Sequence, residues 1–231
     1  MHVNRLLLRY ILIFLIGVIA FSCKRKAPEP DNQGIIEYKI IYLQDGIGNY
    51  SSGILPQSMT MTYRGDKIKS SIEGAMGFFH LVNIADLSEY TNTTFLKFID
   101  KRYVYSGKKK EDPCCIGLQN SLEITFTDNT KEILGYSCKE AIVSFPETDR
   151  HSFPVYYTTE IDIKKPNSTS PFKEIPGVLM EFQTTLGQSD IMMVAEKVRQ
   201  VAIPEKEFEL LQNYKTVNKI EMESIFNALL E

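Results

Sequence analysis

The chain has 231 residues, 26 Lys and Arg against 29 Asp and Glu, and a formal net charge of −3. That balance leaves no dense basic face of the kind nucleic-acid binding relies on, so a nucleic-acid partner is excluded. With 43% hydrophobic and 24% charged residues the composition is that of a folded chain, long enough for one large or two small domains.

The first 22 residues carry Arg5 and Arg9 and no acid, then an apolar core from Tyr10 to Phe21. This charge-then-apolar order predicts a cleaved export signal over residues 1–22. A core of about a dozen residues falls short of the roughly 20 that a bilayer-spanning helix needs. Ala20 and Ser22 are small and stand directly before Cys23, an arrangement that resembles a bacterial lipoprotein signal, in which the peptidase cuts before a cysteine thioether-linked to diacylglycerol. Cys23 is therefore the expected lipidation site, the thiolate being the side-chain nucleophile soft enough for acyl-glyceryl transfer. Several acyl chains, each worth about 0.8 kcal/mol per buried methylene, hold a protein on a membrane far better than one. Without the leader the balance becomes 24 basic against 29 acidic residues, a net charge of −5. Residues 23–33 (Cys23 and KRKAPEPDNQ) are nearly free of apolar side chains and read as a flexible tether.

From residue 34 the pattern turns to strands. GIIEYKIIYL is rich in Ile and Tyr, and SMTMTYRGDKIKSSI alternates cleanly, with Met59, Met61 and Tyr63 on one face and Gly65-Asp66 as a hairpin turn. Further strands are predicted at GFFHLVNI, TFLKFID, RYVYSG, SLEITFTD, KEAIVSF, FPVYYTTEI, GVLMEFQTT and IMMVAEKVRQVAI. Short connectors with Gly, Pro, Asn, Asp and Ser suit a meandering antiparallel sheet. Pro204 with EKEFELL opens either a helix or a loop. Met222, Ile225, Phe226 and Leu229 fall at i, i+3, i+4 and i+7 and predict a short amphipathic helix at the C-terminus. No linker interrupts the strands, so residues 34–231 are expected to form a single β-rich domain.

Three thiols besides Cys23 remain. An exported chain meets an oxidising compartment, and neighbouring Cys114 and Cys115 lie only about 3.8 Å apart at Cα, too close for a relaxed bridge. The expected disulfide joins Cys138 to one of the two, worth about 3 kcal/mol.

The stretches KEILGYSCKEAIVSF (131–145), VYYTTEI (155–161), FKEIPGVLMEF (172–182) and FELLQNYK (208–215) follow one another in a telling order. They resemble the envelope proteins of Bacteroidetes that carry a domain of unknown function related to the GLPGLI family. In that group a Gly-Tyr-x-Cys strand, a Tyr-Thr-x-Glu-Ile strand and a Gly-Leu-Pro-Gly-like turn succeed each other; here the turn reads Glu174-Ile175-Pro176-Gly177. The resemblance implies a mainly β (α+β) fold: one strongly curved antiparallel sheet, a half-barrel like that of the LolA-type lipoprotein carriers and receptors, with helices or a loop across its concave side. It carries no enzymatic activity with it. Lys24 after Cys23, without the acidic cluster associated with surface export in this group, points to a lipid-anchored place on the outer membrane, facing the periplasm.

Catalytic signatures are missing from the sequence. His80 lies in an apolar strand and reads as a packed or edge residue, while His151 sits in the polar loop ETDRHS with no Gly-x-Ser-x-Gly elbow to supply a nucleophile. No phosphate-cradling glycine motif and no metal-ligand spacing occur, so no enzyme, cofactor or metal is expected. A half-open sheet can instead line an apolar groove. Met59, Met61, Phe78, Phe79, Met180 and Phe182 are the candidate lining, with Phe95, Phe98, Met192 and Met193 as further broad or flexible side chains. The expected role is a lipid-anchored envelope protein binding an apolar ligand such as a lipid or acyl chain. The alternative is a non-enzymatic structural or protein-interaction module contacting another envelope component.

Overall fold

Alternation in residues 58–72 folds as its period dictates. Met59, Tyr63, Ile68 and Ile72 turn to one buried face, and Gly65, at φ 56°, supplies the left-handed residue of a two-residue turn with Asp66. The computed structural model describes residues 32–43, 55–74, 77–118 and 121–230; the expected leader and Cys23 lie outside them.

Among the described residues are β1 (Gln33–Tyr42), β2 (Ser58–Arg64), β3 (Lys67–Glu73), β4 (Phe79–Asp86), β5 (Thr91–Phe98) and β6 (Lys101–Ser106). There follow β7 (Glu123–Ile133), β8 (Tyr136–Ser144), β9 (Phe153–Thr158), β10 (Val178–Leu186), β11 (Ser189–Arg199), β12 (Lys215–Thr216) and one α-helix, α1 (Lys219–Leu230). All the strands join one large, curved, open sheet in the order β12-β6-β5-β4-β3-β2-β1-β11-β10-β9-β8-β7, which does not close into a barrel. Every neighbouring pair is antiparallel except β12 with β6. The predicted mainly β fold with its C-terminal helix is therefore what the chain adopts.

β1 lies in the middle of the sheet, paired on one side with β2 and on the other with β11. Register fixes two rims. The start of β1, the β2–β3 turn and the β4–β5 turn share one rim, since Gln33 faces Arg64 and Lys67 faces Asp86. The end of β1 and the β10–β11 turn share the other, where Tyr42 faces Ile191.

The inner face buries Ile36, Tyr38 and Ile40 of β1 with Leu81 of β4 and Met193 of β11. Three coverings lie over it. α1 is capped by Asn218, whose Oδ1 accepts from Glu221 N at 2.9 Å; its fully buried Met222 and Phe226 pack down, Phe226 edge-on to Phe79 at 6.0 Å. The segment after β6 starts at the first rim, where Lys110 N donates to Tyr90 O at 2.7 Å. It reaches the second, where Gly187 N donates to Cys115 O at 2.9 Å. The third covering is a 19-residue strap between β9 and β10 (residues 159–177). Asn167 Nδ2 draws it closed by donating to Ile175 O at 2.9 Å and Gly177 O at 2.8 Å. Phe172 and Ile175 then bury against Val143, Val155 and Leu179.

The outer face of β4 and β5 is also sealed. Residues after Arg199 cross it, placing Ile203 and Phe208 on Val82, Ile84 and Phe95, with Tyr214 edge-on to Phe95 at 5.2 Å. Pro204 opens only a short 3-10 turn, Glu205–Phe208, rather than a full helix.

Leu134 and Gly135, at φ 55° and 82°, make the β7–β8 hairpin turn. Gly177 is not at positive φ; it is required because a Cβ there would overlap the Thr158 carbonyl where strap meets sheet.

Candidate functional site

Beneath the strap lies an apolar cavity of about 140 Å³. Its floor is the inner face: Met59 and Met61 of β2, Phe182 of β10 and Met193 of β11, with Pro171 and Phe172 of the strap above. These flexible or broad side chains adapt to loosely shaped apolar groups. Two of the floor's polar groups are turned to protein partners: Tyr38 OH donates to Leu179 O at 2.9 Å, and Asn83 Nδ2 to Thr94 Oγ1 at 3.1 Å. Burial pushes the Tyr38 hydroxyl well above its ordinary pKa, so it stays a neutral donor.

Beside this cavity runs a larger polar cleft of about 1280 Å³, bounded by the same Pro113, Ile116, Gly117, Ser170 and Pro171. Lys110, Lys165, Lys173 and Lys219 line it together with Asp112, Glu174 and Glu223. Burial raises the Asp112 pKa, an effect opposed by Lys219 and Lys173. Seven described non-glycine residues have positive φ, and four of them, Tyr90, Lys110, Cys115 and Lys165, line this cleft. Each such residue costs of order 1–3 kcal/mol, and that kind of strain gathers where function requires it.

Of the six residues expected to line an apolar groove, Met59, Met61 and Phe182 do line the cavity. Phe78, Phe79 and Met180 are not in its lining: Phe78 is half exposed, Phe79 is held by α1, and Met180 is fully buried in the core. Phe95 faces the opposite side of the sheet. Strap residues and Lys110 carry no period and were not foreseen as lining; the signal available was a long Pro- and Asn-bearing loop, a length unusual unless a loop has work to do.

Cys114, Cys115 and Cys138 are all free thiols, so the expected bridge from Cys138 is not formed. Cys138 is tied into β8 opposite Lys131, whereas the other two belong to the segment after β6. The Cys115 thiol is raised, first by its hydrogen bond with Cys114 and then by burial, and burial pushes Cys138 up to about 11, which disfavours the thiolate at both. His80 sits 2.6 Å from Ser71 Oγ, its pKa lowered chiefly by burial, while His151 is exposed in the β8–β9 loop. Among the described residues no three His, Cys, Asp or Glu gather as metal ligands, and no helix is long and apolar enough to cross a membrane.

An open curved sheet, strapped over an apolar cavity, defines the class. No family model and no curated protein matches the chain. Among solved structures it is similar to PNGF-II in space groups P21 and C2, each at 15% identity and TM-score 0.53, covering 84% and 86% of this chain. The chain spans about a third of the length of those structures, 33% of each. At that identity the likeness is one of fold.

Proposed function

We propose that this protein is a lipid-anchored component of the cell envelope that binds an apolar ligand, a lipid or part of an acyl chain, beneath its strap. The observation that carries the reading is the apolar cavity of about 140 Å³ floored by Met59, Met61, Phe182 and Met193. Engineered apolar cavities near 150 Å³ stay dry and admit benzene, so a pocket of this size and lining takes hydrocarbon in preference to water. It accommodates the end of a chain with the strap closed, and more if the strap lifts. The leader-like residues 1–22, the cysteine at position 23 and the resemblance to Bacteroidetes envelope proteins support the location, on the outer membrane and facing the periplasm.

Native mass spectrometry of the protein recovered from its native host reads anchor and cargo together. The expected result is a diacylglyceryl-modified mature chain with a further, non-covalent lipid adduct. Ser70→Phe, which fills the cavity from β3, removes that adduct while leaving the melting temperature within a few degrees. Adduct-free wild-type protein, or an adduct that survives in Ser70→Phe, overturns the reading.

A second reading, an interaction module for another envelope protein, is favoured by one feature. Phe78 and Ile99, 49% and 57% exposed, stand together at the second rim, where Ile99 N donates to Phe78 O. Normal lipid adduct formation with loss of a co-purifying envelope partner in Phe78→Ser/Ile99→Ser distinguishes it.

A further inference from the structure

The polar cleft contains an arrangement that the apolar cavity does not explain. Two of its lysines converge on one tyrosine: Lys165 Nζ lies 3.5 Å from Tyr90 OH, and Lys110 Nζ lies 5.8 Å from the centre of the Tyr90 ring. Neither lysine has an ion-pair partner among the described residues, whereas Lys219 is matched by Glu111 at 3.6 Å and Lys109 by Glu89 at 3.9 Å. Long cationic side chains in water gain little from being held together and repel each other. The backbone that carries them is constrained: Tyr90, Lys110 and Lys165 all take positive φ, at 57°, 65° and 51°, although none is glycine. Two cations beside a hydroxyl form a cradle for one anionic group.

Position supplies the rest. The cleft that holds the cradle shares Pro113, Ile116, Gly117, Ser170 and Pro171 with the cavity as a common wall, which sets an anion site and a hydrocarbon site side by side. Tyr90 closes the β4–β5 turn, on the rim where β1 begins. The cleft carries four lysines against three carboxylates, in a chain whose overall charge is −3.

Building on the reading that the cavity takes hydrocarbon, we propose that the ligand is an anionic amphiphile, its phosphate or carboxylate headgroup seated on Lys110, Lys165 and Tyr90 and its tail in the cavity. Lys165 lies on the strap, so headgroup binding also holds the strap down over the tail.

Calorimetric titration with four probes sharing a twelve-carbon tail, each below its micellar concentration, tests this: dodecyl phosphate, dodecanoate, dodecan-1-ol and dodecyltrimethylammonium, with inorganic phosphate as a fifth. Both anionic probes are expected to bind at least tenfold tighter than dodecanol. Lys110→Gln/Lys165→Gln, at exposed positions where folding is not at stake, brings dodecyl phosphate to the level of dodecanol and leaves dodecanol unchanged. Lys108→Gln/Lys109→Gln, outside the cleft, preserves the preference. Equal binding of dodecanol and dodecyl phosphate, unaltered by the lysine variant, overturns the headgroup assignment and leaves the apolar cavity standing. Inorganic phosphate binding as tightly as dodecyl phosphate overturns the amphiphile in favour of a free anion. Failure of all twelve-carbon probes removes the cavity reading and this one with it.

Discussion

Single side chains explain much of how the sheet's polar margin is organised, and Glu140 of β8 is the most constrained of them. Its carboxylate accepts from Thr127 Oγ1 at 2.9 Å, Asn129 Nδ2 at 2.9 Å and Tyr156 OH at 2.8 Å. Two of those donors come from the irregular stretch of β7 where register slips between Phe126 and Thr130, so the bulge is folded around a charge. Asn129 first, then Tyr156 and Thr127, hold the Glu140 pKa below the usual carboxylate value. A folded-state pKa below the unfolded one gives stability that is present above the unfolded value and is lost as pH falls through the folded one. Glu140→Gln is therefore expected to melt below wild type at pH 7, with the gap closing as pH drops under about 4; a pH series of melting curves checks it. Met59 and Met61 were legible as partners because a strand's period places them on one face. The Glu140 cage was not, since its donors sit in a bulge that breaks that period.

Elements differ in how openly they declare themselves. β1 to β11 are all foreshadowed by alternation or by runs of Ile, Val, Tyr and Phe, and α1 by its apolar spacing, because all of them but the largely exposed β7 bury side chains against a neighbour. β12 is two residues of parallel pairing on the β6 edge, too short to carry a pattern. The strap has no period at all: its order comes from the paired bonds of Asn167 and from Phe172 and Ile175 inserting against Val143, Val155 and Leu179. Asn167→Ala leaves the buried Ile175 and Gly177 carbonyls without that partner, a loss of about 2 kcal/mol. In a chain of this size that is a fall of roughly 4–8 °C in melting temperature. Hydrogen exchange monitored by mass spectrometry is expected to rise first at residues 159–177, with β1 and β11 still protected, since the strap opens without the sheet. Uniform loss of protection would show instead that strap and sheet open as one unit.

For the molecule as a whole, the fold was more readable than the site. Eleven of the twelve strands follow from pattern and the single curved sheet from the family resemblance, whereas the cavity and the lysine cradle are made where the strap, the post-β6 segment and the sheet come together, which no local pattern encodes. The proposed anchoring belongs to this scale too. Cys23→Ser is expected to move the protein from the membrane fraction to the soluble fraction of the native envelope, with its fold unchanged by circular dichroism. Retention in the membrane fraction would count against a lipid tether.

The pairing of β1 with β11 sets the order in which the molecule can be finished. Glu37 on β1 meets Arg199 on β11 across 162 residues of sequence, so during synthesis the first strand waits for nearly all the others before its second edge is satisfied. Until then a nascent polypeptide exposes an unpaired, Ile-rich ribbon open to wrong partners, and such distant pairings form slowly. A protein built this way benefits from being kept unfolded until its last third has been made, and its yield should depend more on escort during synthesis than on the stability of the finished body.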